Sequence, residues 1–261
     1  MKHIKLFENF QQSEYYIRET CKKYIIKNYT INSDWSIDVD GDVNLSMCKL
    51  KEIPLNFNII NGDFNCGINN ITSLKGAPKK VNGNFRIFRN ELTNLEYSPK
   101  IVTRNFDCSS NKLTSLNGSP ESIGGEMNIA LNDNLSSLEG SPKTVGSLHS
   151  TGNHITSLEG SPTNVNGNFR IDSNQIHTLI GFECYIDGIF IVNKKLSLIY
   201  EILKEHLEYV NNFYNFNILS DIENNQPTLN LKRFKKFIDL YGIEEPNEEF
   251  YRKINGAFIV V

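Results

Sequence analysis

The sequence predicts a solenoid of short parallel β-strands, and three regularities of the 261-residue chain support this fold class. A shift of 21 residues superimposes Phe85 on Phe106 and Leu92 on Leu113. Glycine recurs at this interval at positions 41, 62, 83, 125, 146, 167 and 188, with Arg104 in the one vacant step. Asparagine recurs in the same way at positions 69, 90, 111, 132, 153 and 174. Such a short, fixed period is typical of coils that stack along one axis.

Each repeat reads roughly G-x-F-x-C-x-x-N-x-L-x-x-L-x-G-S-P-x-x-V-x, and about eight coils fit between residues 41 and 195. The F-x-C pair has the alternation of side chains that point inward from a strand. We expect the asparagine to turn its amide into the coil and bond backbone groups, because an unbonded buried amide costs about 1 to 3 kcal/mol. The asparagines are therefore interpreted as a structural ladder, whose first position is occupied by Cys48.

The side of each coil opposite the strands is predicted to be extended or polyproline-like. Between Leu95 and Val102 there is room for barely two helical turns, and Pro99 interrupts them. Two repeats depart from the pattern. One repeat has an extra residue in 132–134, which predicts a local bulge, and the 21-residue interval is restored where Val145 directly precedes glycine. In the next repeat Ser150 occupies an inward position, where its hydroxyl requires a backbone partner.

The two ends of the chain are predicted to differ from the repeats. Residues 1–40 are expected to form a helix with Ser13 as its N-cap, followed by a hairpin around Ile31 and residues 37–39, and to cap the solenoid. The nearby run Asp38, Asp40, Asp42 partly overlays a calcium loop. Its twelfth position is Met47 instead of an acidic residue, so no metal site is predicted.

Residues 196–261 are expected to form a small helical C-terminal domain. Helical spacing follows Ser197 to about residue 210, and a second helix is predicted over 228–241, ending at Gly242. A polar connector over 211–226 separates them, and residues 258–261 are expected to add a strand. The basic run 232–236 is interpreted as the solvated face of the second helix.

Composition argues against several functional classes. The net charge of −3 is spread evenly along the chain, so a nucleic-acid partner is disfavoured. The five cysteines show no C-x-x-C spacing, which favours a reducing compartment, and no apolar run is long enough to cross a bilayer. Without a signal peptide, the chain is expected to be cytoplasmic, with no membrane partner. No cofactor-binding motif is present.

Catalytic signatures are also absent from the sequence. It contains no H-E-x-x-H, no G-x-S-x-G and no phosphate loop. His149 and Asp172 are the nearest approach to an acid–base pair, but no nucleophile accompanies them. We therefore expect no catalytic residues and no enzymatic activity.

The concave face of the predicted strands carries the candidate binding residues. Alternation along each strand brings two arginines and an aromatic ring together within one coil, a composition typical of protein-binding hot spots. The alternative is a solvated face on which Arg86 and Asp107 neutralise each other. The candidate partner-binding residues are Arg86, Phe88, Arg89, Asp107, His149, Arg170 and Asp172.

The chain resembles the leucine-rich-repeat proteins that are abundant in tailed bacteriophages. The resemblance rests on the opening MKHIKLFENF, the lead-in INSDWSIDVDGDVNLS, the repeats LTSLNGSP and ITSLEGSP, and the tail LNLKRFKKFIDLYGI. It implies a leucine-rich-repeat solenoid but brings no binding residues. The repeats are also similar to those of secreted bacterial ubiquitin-ligase effectors, whose helical domain has a catalytic C-x-D motif. No cysteine follows Cys184 here, so ligase activity is not expected.

The expected function is a non-enzymatic protein-protein interaction module, phage-encoded and acting in the cytoplasm of the bacterial host. Its expected partner is a host bacterial protein such as a defence component, which it would bind and inhibit. One alternative is a component of the phage virion or of its assembly. Nucleic-acid binding through Arg86, Arg89 and Arg170 is disfavoured by the neutral charge balance.

Overall fold

A computed structural model describes residues 13–177, 179, 182–193, 196, 200, 203, 209, 219–223, 226–248 and 259–260. Residues 37–191 form a parallel β-solenoid with a period of about 21 residues. Its strands pair in two ladders that run along the solenoid axis, each with eight strands. Eight strands bound about seven full turns, so the predicted count of about eight coils was one too high.

The predicted F-x-C strands form one of these ladders, which we call ladder II. Its strands pair in parallel, so that equivalent residues of successive repeats lie opposite each other, as Phe64 does with Phe85. The strands are β3 (Val43–Asn44), β5 (Phe64–Asn65), β7 (Phe85–Arg86), β9 (Phe106–Asp107), the ends of β10 (Ser122–Asn128) and β11 (Thr144–His149), β13 (Phe169–Arg170) and β15 (Phe190–Ile191).

The sequence analysis missed ladder I, which lies before the glycine of each turn. Its strands are β2 (Ile37–Val39), β4 (Phe57–Ile60), β6 (Lys80–Val81), β8 (Ile101–Val102), the beginnings of β10 and β11, β12 (Asn164–Val165) and β14 (Tyr185–Ile186). Each strand buries an apolar residue, such as Val81 or Val102. The prediction of an extended, non-helical side was thus correct, but this side is partly β-sheet.

The core between the ladders is a column of stacked side chains. The rings of Phe64, Phe85 and Phe106 lie 5.3 and 5.5 Å apart between centroids and within 16° of parallel. Cys66 and Cys108, two positions after the phenylalanines of their turns, are fully buried, which confirms them as core residues. Burial raises the pKa of the Cys66 thiol to about 12, so this thiol is inert at neutral pH.

The asparagine ladder has the predicted geometry. The amide nitrogen of Asn90 donates to the carbonyl oxygens of Cys66 (3.0 Å) in the preceding turn and Ile87 (3.1 Å) in its own. Its Oδ1 accepts from the backbone nitrogen of Ile71 at 3.1 Å. Every ladder position from residue 69 to 174 donates to carbonyls in this way. Cys48, by contrast, is exposed and donates only to the carbonyl oxygen of Ser46.

The structure shows both parts of the first irregular repeat. The extra residue forms a turn at 132–134, closed by a hydrogen bond from the backbone nitrogen of Leu135 to the carbonyl oxygen of Asn132 at 2.8 Å. It is recovered in the strands, where the register of β10 with β11 shifts between the pair Ile123 with Val145 and the pair Glu126 with Ser147. Ser150 was expected to find a backbone partner, but its Oγ accepts from the ladder amide of Asn153 at 2.9 Å. The ladder amide satisfies this buried hydroxyl oxygen.

A second polar ladder, which the sequence analysis also missed, lines the corner between ladders I and II. The Oδ1 atoms of Asp42, Asp63, Asn84 and Asn105 each accept from a backbone nitrogen of the following turn, at 2.7 to 3.1 Å. The glycines at 62 and 83, which precede Asp63 and Asn84, have no room for a side chain. A Cβ on Gly62 would lie 2.3 Å from Oδ1 of Asp42. Asp42, the last residue of the run that resembled a calcium loop, therefore has a structural role in this ladder.

The N-terminal elements are those that the sequence predicted. Helix α1 (Glu14–Lys23) has Ser13 as its N-cap, and β1 (Tyr29–Ile31) pairs antiparallel with β2. Ile17 and Cys21 of α1 are buried in the same core as the first turn. Their role as a cap for the solenoid remains a prediction.

The C-terminal region contains more β-structure than predicted. Strand β16 (Leu219–Glu223) lies where a connector was expected and pairs antiparallel with β17 (Gln226–Leu229), which overlaps the beginning of the helix predicted over 228–241. Strand β18 (Ile259–Val260) adds the predicted final strand. Helix α2 (Leu231–Tyr241) begins later than predicted and ends at Gly242. The basic residues within 232–236 are exposed, as expected. The helix predicted over 197–210 lies mostly outside the described residues.

The asparagine ladder can be tested at Asn111. Its amide nitrogen donates to the carbonyls of Ile87 and Cys108, and its Oδ1 accepts from Leu92. Asn111→Ala leaves these buried groups unpaired and should lower the free energy of unfolding by about 1 to 3 kcal/mol. The control Asn117→Ala removes an exposed side chain and should be near neutral. Equal urea midpoints for the two variants would contradict the ladder.

Candidate protein-binding surface

The outward side of ladder II carries all seven candidate binding residues. Each ladder II strand turns its phenylalanine or equivalent residue into the core and the next residue outward, which places the candidates in adjacent columns. They lie at the strand ends (Arg86, Asp107, His149, Arg170), two positions later (Phe88, Asp172), or in the following bend (Arg89).

The pairing of Arg86 with Asp107, considered above as the alternative, does not form. Nη1 of Arg86 instead contacts Oδ2 of Asp63 in the preceding corner at 2.9 Å. Burial would raise the pKa of the Asp63 carboxyl, but hydrogen bonds from Asn84 and Arg86 outweigh it, so that pKa lies below its usual value. Asp107 is engaged by its own turn, because its Oδ1 accepts from the nitrogen and the hydroxyl of Ser109.

The suggested pair of His149 with Asp172 does not form either. Oδ1 of Asp172 accepts from Nε of Arg170 at 2.8 Å and from Oγ1 of Thr151 at 3.1 Å. The hydrogen bond from Arg170 is the main reason that the pKa of Asp172 is lowered. This carboxylate is therefore occupied as an acceptor, and Arg170 is neutralised in place.

Phe88 and Arg89 remain as the anchors of the predicted cluster. The ring of Phe88 lies over Gly67 of the preceding turn, where a Cβ on the glycine would come within 2.5 Å of it. Phe88 is consequently half-buried and held in place. Arg89 is exposed, and within the described part of the chain it has no ion pair.

Arg89 belongs to a column that the sequence analysis did not identify. In each turn the residue directly before the asparagine-ladder position has a positive φ, between 51° and 71°. We call these residues the rim column: Met47, Ile68, Arg89, Ser110, Leu131, Gly152 and Ser173. The left-handed conformation lets the chain bend from ladder II into the ladder position.

Several rim residues are unfavourable for stability on two counts. A residue with a Cβ in the left-handed region costs roughly 1 to 2 kcal/mol, and a β-branched residue such as Ile68 is a rare occupant. Met47 and Leu131 are in addition 71% and 57% exposed. Glycine suffices at position 152 of the same column, so the bend does not require large side chains. Such positions are where functional constraints are found.

The positive φ of the rim column has one weak signal in the sequence. Gly152, the only glycine among the rim residues, directly precedes the ladder residue Asn153, and glycine readily adopts a positive φ. Methionine, isoleucine and leucine at the remaining positions give no indication of a positive φ, because these residues ordinarily avoid it.

The described residues give little sign of other chemistry. They contain no group of three or more histidine, cysteine, aspartate or glutamate side chains suited to hold a metal ion. No helix among them is both long and apolar enough to span a bilayer.

Comparison with known proteins adds no identification. No protein-family model matches the chain, and no curated protein is similar to it at a significant level.

The strain in the rim column can be measured at Met47. Asparagine tolerates the left-handed conformation, so Met47→Asn should raise the free energy of unfolding by up to about 1 kcal/mol. Ile101 is a matched control, because it is also partly exposed (41%) but lies in strand β8. Ile101→Asn should not stabilise the protein. A lower urea midpoint for Met47→Asn would show that its side chain stabilises the fold.

The ion pair of Asp63 with Arg86 predicts a pH dependence. Because the pKa of Asp63 is lowered in the folded state, its stabilisation is complete above about pH 4 and is lost as the pH falls through the folded-state pKa. Asp63→Asn should therefore reduce stability at pH 7, by no more than about 1 kcal/mol for a partly exposed pair. Urea midpoints of the two proteins should converge as the pH falls below the folded-state pKa of Asp63. The control Glu121→Gln removes a largely exposed pair with Lys100 and should change little at either pH.

Proposed function

We propose that this chain is a non-enzymatic protein-interaction module of the leucine-rich-repeat type, which binds a partner through the rim column and the adjacent Phe88. One observation carries the proposal. Large apolar and cationic side chains occupy exposed, left-handed positions at which glycine satisfies the backbone. Surface residues that reduce stability and serve no packing purpose are best explained by binding.

The backbone beneath the rim column is rigid. The nitrogens of Ile68, Arg89 and Leu131 donate to carbonyls of the next turn at 2.9 to 3.0 Å. Side chains anchored in this way lose little freedom on docking, which favours affinity. Arg89 also has Ile68 and Ser110 about 4.8 Å away on the two adjoining turns. An arginine beside an apolar side chain has the composition of a hot spot.

The partner that we propose is a host bacterial protein, and the resemblance to bacteriophage repeat proteins supports this choice. Ile68 and the half-buried Phe88 are suited to apolar contacts. Arg89 is suited to a carboxylate of the partner, since the described residues leave its charge unpaired. Inhibition of a defence component is the mode of action that we propose for such binding.

The proposal is tested with a rim variant that keeps the fold. Ile68→Asn, Arg89→Asn and Leu131→Asn together remove the exposed anchors and introduce a residue that tolerates positive φ. The immobilised protein and the variant are compared for the host proteins that each retains from bacterial lysate, followed by titration calorimetry with the purified partner. Each hot spot lost should weaken binding by about 2 kcal/mol, or more than tenfold.

The matched control changes small residues of the same column. Ser110→Asn with Ser173→Asn should retain the partner with unchanged affinity. If a host protein binds the rim variant and the unaltered protein equally well, the rim column is ruled out as the binding site. Recovery that is sensitive to nuclease, or recovery of virion proteins during infection, would instead favour the nucleic-acid or assembly alternatives.

A further inference from the structure

A groove of about 510 Å³ crosses the first turns of the solenoid beside ladder I. Its floor contains Gly76, Ala77 and Pro78. Tyr97 and Ser98 of the next turn line it together with the hairpin residues Asp34 and Ser36. The volume lies within the range of small-molecule sites in proteins.

One departure from the repeat shapes the groove. Tyr97 stands where the corresponding turns have Gly76, Gly118, Gly140 and Gly160, and it keeps a positive φ of 68°. The ring is 61% exposed and adds a wall that those glycines cannot supply. Gly76 itself has no room for a side chain, because a Cβ there would lie 2.6 Å from the carbonyl oxygen of Leu55.

Ser98 provides a hydrogen-bonding group at this site. In the corresponding turns the hydroxyls of Ser119, Ser141 and Ser161 donate to the carbonyl three positions earlier, at 2.5 to 2.7 Å. The hydroxyl of Ser98 is buried and has no hydrogen-bond partner among the described residues. A buried hydroxyl without a partner requires an explanation, and a ligand in the groove supplies one.

The charges that line the groove are mainly positive. Lys100 pairs with Glu121 at 2.8 Å, and Lys79 lies 3.9 Å from Asp34. Lys75 has no ion pair among the described residues. Lys75 is therefore the lining charge that the ion pairs of the described residues leave uncompensated. Its ammonium group favours an anionic ligand.

We propose that the groove binds a small organic anion that carries a flat ring. Its phosphate or carboxylate group accepts from the ammonium group of Lys75 and from the hydroxyl of Ser98. Its ring packs against Tyr97 and Pro78, since aromatic and proline surfaces bind flat apolar groups. This site is independent of the rim column and does not rest on the proposed protein partner.

Phenyl phosphate is the first probe for the groove, measured by titration calorimetry with the full chain. We expect saturable binding of one equivalent with a Kd below about 1 mM. Benzoate tests the carboxylate in the same way. Inorganic phosphate and phenol each lack one half of the proposed ligand and should bind at least about tenfold more weakly. Absence of saturable binding by both phenyl phosphate and benzoate would overturn the proposal.

Two variants separate binding from folding. Ser98→Ala removes a hydroxyl that makes no bond within the described structure, so it should leave the melting temperature unchanged and weaken phenyl phosphate binding at least about threefold. Tyr97→Gly restores the residue of the other turns, so it should keep or raise the melting temperature and weaken binding at least about tenfold. The control Ser119→Ala loses its bond to Leu116 and should lower the melting temperature without changing binding. Equal affinity in Tyr97→Gly and the unaltered protein would assign the binding to another place.

Discussion

The side-chain amides of the asparagine ladder are the interaction on which the rest of this structure depends. Most strands are very short, and backbone nitrogens also bond to the adjacent turn outside them, as those of Cys66 and Ile68 do to the carbonyl oxygens of Arg86 and Phe88. Asn90 and Asn111 add bonds to carbonyls of their own and the preceding turn, and their Oδ1 atoms receive a backbone nitrogen in return. Each amide is therefore fully used in the dry interior, where an unpaired amide would be costly. The ladder also fixes where the chain must bend, and this determines both the rim column and the period.

Much of the fold could be predicted because the sequence repeats. The inward position of Phe85 and Cys108, the role of the asparagines and the N-cap at Ser13 follow from residue types that have one sensible place in a coil. Ladder I was missed because so short a strand leaves only one buried valine per turn as its signal, too little to indicate pairing. The corner ladder had a visible signal, the recurrent aspartate or asparagine after glycine, but its acceptor role depends on the alignment of successive turns. Outside the repeats prediction was weaker, and strand β16 was taken for part of a connector because its sequence is polar.

The candidate site was less predictable than the fold for physical reasons. Alternation along a strand gives the face on which Arg86 lies, but it does not say that Asp63, in a corner outside the strands, is the nearer carboxylate. Backbone dihedrals are even less accessible, since Ile68 and Leu131 belong to residue types that avoid positive φ. Tyrosine also rarely has a positive φ, so the sequence gives no sign of the conformation of Tyr97. In each case the repeat holds a residue in a backbone conformation that its residue type rarely adopts, and only the three-dimensional structure shows this.

The extra residue at 132–134 has a consequence for the history of this chain. One turn contains an added residue and the next lacks one, so the step from Ile123 to its partner Val145 is longer than the step from Val145 to Val165. The step from Asn132 to Val145 is 13 residues, against 12 from Asn111 to Ile123, and either change alone would break the 21-residue interval from Asn132 to Asn153. The two changes thus act as a mutation and its suppressor, and they are expected to have been inherited together. By contrast, the gain or loss of a whole repeat keeps all columns in phase, so recombination between repeats can lengthen or shorten such a molecule without rebuilding its interior.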